Sequence, residues 1–401
     1  MNTFIHGWMS TNELAWLEDC ARRMDSVAEV GCWKGRSTYS LAEHCPGPVY
    51  AVDHWQGSIG EEVAHAEARE RDIFRDFMVN VGHFPNVKPR RGASVDIAPT
   101  LPMVDMAFID AGHTYEDVKA DLEAWTPKTL RLLAGHDYDY PGVGRAVKEK
   151  FGNRVKAGPG SIWFVEHPQP PNVMIATPAY GLQVTTPYLQ SLLRLMASNG
   201  RYHVNFNWQT TSDSLIGRAR IRLFAKFLQS DCSHLLFIDA DLGFQPNAVF
   251  DLIRWSKPLV GGVYPCKTPK ATWPCNFFPD GEMSSAEVCP ETGCWKARDL
   301  PTGFMMIRRD CADAMVKAYA DRQCIIDRNF PKEHCYNLFD QPVDTDGMLL
   351  SEDFAFCRYW QRIDGDVWID PAIDLTHYGA HGFNHGSIGE ALGKQVEEVA
   401  A

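Results

Sequence analysis

Hydrophobic positions along this chain follow two rhythms. Short apolar runs at Val27–Cys32, Val49–Asp53, Val104–Asp110, Leu130–Leu133 and Ile162–Val165 read as buried strands. Between them lie segments with one apolar face, such as Tyr115–Trp125 and Val143–Phe151, which predict helices. Alternation of this kind predicts a parallel sheet with helices on both faces. The pattern breaks at His167-Pro168-Gln169-Pro170-Pro171, because clustered prolines continue neither a helix nor a central strand. It then restarts. Val173–Ala176 and His234–Ile238 predict strands, Leu189, Leu192, Leu193 and Met196 share a helical face, and Leu215–Gln229 predicts a long helix. Residues 265–300 have little periodicity and read as a long loop or irregular insert, and the chain from Gly386 onward reads as a frayed tail. The expectation is an α/β chain of two tandem domains, 1–167 and 172–385, with a proline-rich linker at 168–171 and a tail at 386–401.

Length agrees with that division, since 401 residues exceed what one hydrophobic core organises. The formal net charge of −12 is shared evenly between the halves, so neither half presents a basic surface. Nucleic acid is therefore kept only as a lesser alternative among partners. The first ten residues lack the pattern of a secretory signal, and no apolar run is long enough to span a membrane. The chain is read as cytoplasmic, and its 12 cysteines as reduced thiols. Cys266, Cys275, Cys289 and Cys294 lack the short paired spacing of a zinc site and are read as free.

The first chemical signal is Glu29-Val30-Gly31-Cys32-Trp33-Lys34-Gly35-Arg36-Ser37, which follows a predicted strand and opens a predicted helix. Glycine there permits a tight turn and close ligand approach, and a helix N-terminus offers N–H donors to an anion. Asp53 ends the next strand, where a carboxylate can accept both hydroxyls of a ribose. Gly31 and Gly35 lack the third glycine of a dinucleotide fingerprint. With Gly7-Trp8-Met9-Ser10, Tyr50 to Trp55, Phe108 to Glu116, Gly135 to Asp139 and Pro141-Gly142-Val143, the stretch 6–166 resembles class I S-adenosylmethionine-dependent methyltransferases of the methyltransferase-24 type. The resemblance implies a Rossmann-like fold. It also implies that Glu29, Gly31 and Gly35 line the methionine end of the cofactor, that Asp53 holds its ribose, and that Ser94 and Asp96 lie near its adenine. Asp110 and Asp137 would sit over the methyl donor, where paired carboxylates can bind Mg²⁺ or take a proton from a substrate hydroxyl. His113 and His136 are further acid/base candidates. The alternative for Asp110 is capping of a turn or helix.

The second signal is Leu235 to Phe244, an apolar strand that ends in Asp239-Ala240-Asp241. Such a carboxylate pair can hold Mn²⁺ or Mg²⁺ against a nucleotide diphosphate. Thr177 ends the opening strand, where it can meet a base. Arg218 and Arg220 begin the long helix, where one can reach a diphosphate while the other pairs elsewhere. Together with Gly261 to Pro265, Thr302 to Ile307, Ser351 to Cys357, Asp370-Pro371 and His377-Tyr378-Gly379, residues 172–385 resemble a GT-A-fold glycosyltransferase. The resemblance implies a nucleotide-sugar donor, a glycan or small-molecule acceptor, and metal ligation by Asp241 with His377. Asp239 would contact ribose or metal, and Glu352 or Asp353 would act as general base near the acceptor. The alternative for Glu352 and Asp353 is a helix N-terminus stabilised by acid. Trp273, Trp295 and Phe304 are candidates either for stacking or for packing. The resulting expectation is a bifunctional transferase, with two alternatives: a glycosyltransferase fused to a non-catalytic binding module, and sugar transfer onto modified nucleic-acid bases.

Overall fold

The computed structural model describes residues 4–57, 62–198, 203–278, 286–328, 330, 332–379 and 382–391. The chain divides into two compact units, the first ending at Pro170 and the second beginning at Pro171. Among the described residues, no helix is long and apolar enough to cross a membrane.

In the first unit the strands are β1 Val27–Val30, β2 Val49–Asp53, β3 Val87–Arg91, β4 Val104–Ile109, β5 Thr129–Gly135, β6 Lys156–Ala157 and β7 Trp163–Glu166. They form one sheet in the order β3-β2-β1-β4-β5-β7-β6. β1 to β5 pair in parallel, and β7 closes antiparallel on β5. Period-two alternation supplies a core on each face. Val27, Val49 and Ala51 pack on one side, whereas Ala28, Tyr50 and Val52 pack on the other. The sheet order reverses between β1 and β4. Such a switch point opens a crevice at the carboxyl ends of the strands, and that is where Gly31, Asp53, Asp110 and Asp137 emerge.

In the second unit β8 Asn172–Pro178, β9 Asn205–Thr211, β10 His234–Ile238, β12 Leu259–Gly261, β13 Trp295–Ala297, β14 Phe304–Arg308 and β15 Val367–Ile369 form a mixed sheet. Its order is β13-β15-β12-β14-β10-β8-β9. A separate three-stranded sheet joins β11 Leu242–Phe244, β16 Leu375–Tyr378 and β17 Gly382–Phe383. Leu242 pairs with His377 in that sheet, which brings a residue far along the chain beside the end of β10. The region read as an irregular insert contributes the edge strand β13, antiparallel to β15. The tail expectation is corrected in part. Residues 388–391 form a helical turn whose Ile388 is buried in the core, and Gly389 N–H donates to the Pro371 carbonyl. Positions 392–401 lie outside the described residues.

Candidate functional site

In the first unit the glycine loop leaves β1 through Gly31, whose φ of +87° suits glycine. A Cβ there would collide with the Asp110 carbonyl, so the loop touches the backbone of β4 with nothing to spare. Asp53 fixes the loop. Its carboxylate accepts from the N–H groups of Cys32 and Trp33, each at 2.8 Å, and of Trp55 at 2.6 Å. Trp33 and Trp55 hold positive φ of 46° and 55°, strained turns kept in place by those bonds. The carboxylate therefore shapes the loop while still lining a cavity of about 1150 Å³.

The other expected cofactor residues separate. Glu29 is fully buried beneath the loop, accepts from the Thr38 hydroxyl, and is pushed up to about 7 by burial. It is not among the residues lining the cavity, which corrects its assignment to the methionine end. Gly35 also faces elsewhere. A Cβ there would meet Val81 at 2.9 Å, so it serves the packing of the helix Ile73–Val81. Ser94 lines the cavity and donates to Asp121, whereas Asp96 is exposed and outside it. Asp121, which sequence reasoning missed, lines the cavity beside Ser94. Burial pushes its carboxyl up to about 6.

At the far side of the same cavity stand Asp110, His113, His136 and Asp137. One ligand atom from each of Asp110, His113 and Asp137 lies within 4.8 Å of the others. His113 Nε2 is 2.9 Å from Asp137 Oδ2. His136 Nδ1 lies 3.5 Å from Asp110 Oδ1 and 3.2 Å from Asp137 Oδ2, and its Nε2 lies 3.0 Å from Glu13 Oε1. Burial opposes a charge on this ring, but its bonds to Asp110 and Asp137 prevail and push it up to about 11. At neutral pH these bonds favour the imidazolium, so of the acid/base roles open to His136 the acid form is the one present. Asp137 itself sits at a φ of 57°. Despite burial, its carboxyl is held well below the usual range by hydrogen bonds from His113 and His136. Glu13 also accepts from Ser161 N–H at 3.0 Å and completes a capping box with Ser10. The spacing Ser10-x-x-Glu13 carries the box in the sequence, but not the link to His136.

The second unit builds its acids differently. Arg220 is buried, with Nη2 at 3.1 Å from Asp239 Oδ1 and Nε at 3.4 Å from Glu352 Oε1. Its Nη1 is buried without a hydrogen-bond partner. Asp241 Oδ2 receives Lys267 Nζ at 2.5 Å and lies 3.6 Å from His377 Nε2. His377 Nδ1 is 3.0 Å from the Pro265 carbonyl. A carbonyl only accepts, so Nδ1 donates to it, and Nε2 is the ring nitrogen that faces the Asp241 carboxylate. Asp239, Asp241 and His377 do not converge as one three-ligand cluster. Among the described residues that geometry occurs at Asp110, His113 and Asp137. Gly303 backs the arrangement: a Cβ there would lie 2.5 Å from the Tyr264 ring and 2.7 Å from Asp239 Oδ2.

Other expected residues of this unit are engaged elsewhere. Thr177 is buried, bonded to Tyr188 Oη at 2.5 Å and to Trp208 Nε1 at 3.2 Å, so its hydroxyl does not face a base. Arg218 is clamped by Asp213 through two bonds of 2.6 and 2.7 Å. Asp353 turns back to its own helix start, accepting from the Ser351 hydroxyl and from Phe354 N–H at 2.9 Å. Glu352 lines a second cavity, of about 440 Å³, and is the better placed of the two acids. Trp295 and Phe304 lie in the buried interior. The four cysteines of the insert are free, and no three of them gather as metal ligands among the described residues.

No curated protein matches this chain. Among solved structures, A197 from STIV is 14% identical, covering 52% of this chain and 86% of its own, at a TM-score of 0.33. An O-methyltransferase from Streptomyces achromogenes involved in tomaymycin synthesis, solved with SAM, is 16% identical over 40% of this chain and 81% of its own, at 0.29. An O-methyltransferase from Bacillus cereus, solved with SAH, is 19% identical over 40% and 82%, at 0.28. Residues 28–138 match the model of a methyltransferase domain, and the first unit has the Rossmann-like methyltransferase fold.

Proposed function

We propose that the first unit is an S-adenosylmethionine-dependent O-methyltransferase. The observation that carries this reading is one cavity shared by the glycine loop, Asp53 and the cluster Asp110–His113–Asp137. The bare backbone at Gly31 admits the methionine end, and the pocket beside Ser94 and Asp121 is a polar seat for the adenine. Two carboxylates and an imidazole are a fitting donor set for a divalent cation. Bound there, such an ion supplies positive charge that acidifies a hydroxyl of the acceptor. The protein's own groups do the rest. His136, fixed as a cation between Glu13 and the two aspartates, orients Asp110 and Asp137 toward the cavity. Because both carboxylates line the cavity, a catalytic role is favoured over a docking module. Calorimetric titration with S-adenosylmethionine, followed by transfer of its labelled methyl group to a panel of hydroxyl acceptors, tests the reading. Failure to bind the cofactor would reject it.

For the second unit we propose transfer of a sugar from a nucleotide donor, making the chain a bifunctional transferase. The supporting observation is Arg220, a buried cation with one unpartnered nitrogen, set between Asp239 and Glu352. An unsatisfied buried donor of this kind suits a diphosphate oxygen. Asp241 and the Nε2 of His377 are suitable ligands for Mn²⁺ or Mg²⁺, which would offset charge on a departing diphosphate. Asp239 is assigned to Arg220 and the donor. Glu352 is the candidate base. A thermal-shift panel of nucleotide sugars with and without Mn²⁺ tests this, since a ligand of the native state raises the melting temperature. No shift with any donor would count against it. Methylation and glycosylation of one common acceptor is the coupled form of the proposal; nucleic acid as acceptor would appear as strongly salt-dependent DNA binding.

A further inference from the structure

The smaller cavity has Glu352 in its lining with six apolar side chains, Leu215, Ile216, Ile221, Ile325, Ile326 and Phe339, and Asn337 and Gln341 are its uncharged polar members. Leu215, Ile216 and Ile325 are 60%, 42% and 67% exposed, so the groove brings large apolar side chains to the surface beside a carboxylate. Isolated exposed apolar residues are ordinary, but several converging on one concavity mark a binding surface. Charge narrows the occupant. Arg218 is the one basic side chain among the residues lining the groove, and Asp213 neutralises it through two hydrogen bonds. Asp340, also in the lining, is engaged by Arg322 and by the Tyr359 hydroxyl, each at 2.8 Å. No uncommitted cation in the lining receives a phosphate or a carboxylate.

We infer that this groove is the acceptor site and that its occupant is a neutral aromatic alcohol. The inference rests on the glycosyl-transfer reading above and names its substrate class. A cavity of about 440 Å³ suits a molecule of two fused rings. The rings lie against Ile216, Ile325 and Phe339, and the hydroxyl points to Glu352. In the transfer, the acceptor oxygen forms a bond to the anomeric carbon of the donor sugar and its proton passes to Glu352. The bond from that carbon to the nucleoside diphosphate breaks, and the electron pair leaves with the diphosphate. Arg220, bonded to Glu352, holds that carboxylate of the groove lining in place.

The groove also carries its own reporter, since Cys324 lies in its lining. Three probes are offered to the full chain: 2-naphthol, 2-naphthyl phosphate and methyl β-glucoside. The occupant proposed here requires that 2-naphthol slow the alkylation of Cys324, read by peptide mass spectrometry, more than either other probe. Ile325→Asp, at an exposed position, should weaken 2-naphthol binding by about tenfold or more. Equal or better protection by the glucoside or the phosphate overturns the proposal, as does 2-naphthol binding that is indifferent to Ile325→Asp and leaves Cys324 unprotected. The nucleotide-sugar thermal shifts are read separately. A chain that binds a donor but excludes 2-naphthol keeps the glycosyl reading and loses this one, whereas absence of both defeats both.

Discussion

The two units dispose of their acids in opposite ways. In the first, Asp110 and Asp137 share one cation, the imidazolium of His136, whose Nδ1 faces both, and the Asp137 oxygen it meets also meets His113. One oxygen of each carboxylate and one nitrogen of His113 lie within 4.8 Å of one another. In the second, Asp239 is paired with Arg220 and Asp241 with Lys267. Separate cations draw carboxylates apart, and a shared one gathers them. Sequence spacing favoured Asp239 and Asp241 as the metal pair, yet the geometry assembles three ligands around Asp110. What decides is the placement of the counter-charge, a tertiary property.

The largest expected effect comes from the glycines that back each centre. Gly31→Ala places a methyl group against the backbone carbonyl of Asp110, at a φ of +87° that alanine disfavours. Neither atom can move without distorting β1 or β4, so a loss of about 3 kcal/mol or more is expected, with cofactor binding abolished. Gly303→Ala presses instead on the Tyr264 and Asp239 side chains, which can yield, so a smaller loss is expected. Scanning calorimetry and S-adenosylmethionine titration of both variants check the order. If Gly31→Ala matches the parent, the first centre is not built on that close approach.

Next comes a matched pair of isosteric substitutions. Asp137→Asn removes one charge from the three-ligand cluster, and Mn²⁺ affinity at that centre should fall by about 10- to 100-fold. Asp239→Asn instead deprives the buried Arg220 of a counter-charge while Glu352 remains, and the expected cost is stability, about 2 kcal/mol. Isothermal titration with Mn²⁺ and urea unfolding separate the two outcomes. A stable Asp239→Asn variant with impaired Mn²⁺ binding would make Asp239 a metal ligand and erase the contrast.

How far the chain could be read in advance follows the same division. The strands β2 and β10 and the helix Tyr115–Trp125 were legible to the residue, because a local hydrophobic period determines them. β9, with exposed and half-exposed positions along Asn205–Thr211, has no such signal; it forms because β8 offers an edge to pair with. Gly31 and Asp53 were legible from a glycine turn and a strand end, Asp110 and Asp137 from the methyltransferase resemblance, and all four line one cavity. Glu13, Asp121 and Lys267 were not. Each reaches its partner from a helix or loop distant in sequence, and no spacing rule encodes such an approach. Thr177 and Gly35 were misread for a related reason: the strand or loop end was right, but the facing direction was set by the Tyr188 hydroxyl and by Val81.

A half-buried acid with neither a shared nor a private cation has a third recourse, the proton, and Asp251 sharpens the comparison to its smallest effect. It lies on the helix Pro246–Trp255 of the second unit, where burial and the nearby Asp370 push its carboxyl up to about 6, against the pull of Arg254. A carboxyl raised in the folded state favours the protonated form there. Its contribution is therefore fully present below the unfolded value of about 4 and is lost as pH climbs from there through about 6. Asp251→Asn keeps the shape of the protonated acid and removes the titration. The variant should match the parent near pH 4 and exceed it at pH 7.5 by on the order of 2 kcal/mol, measured by urea unfolding across that range. Equal stability at both pH values would mean that Arg254 already supplies Asp251 with a private cation, and the acid would then join Asp239 and Asp241 on the same side of the contrast.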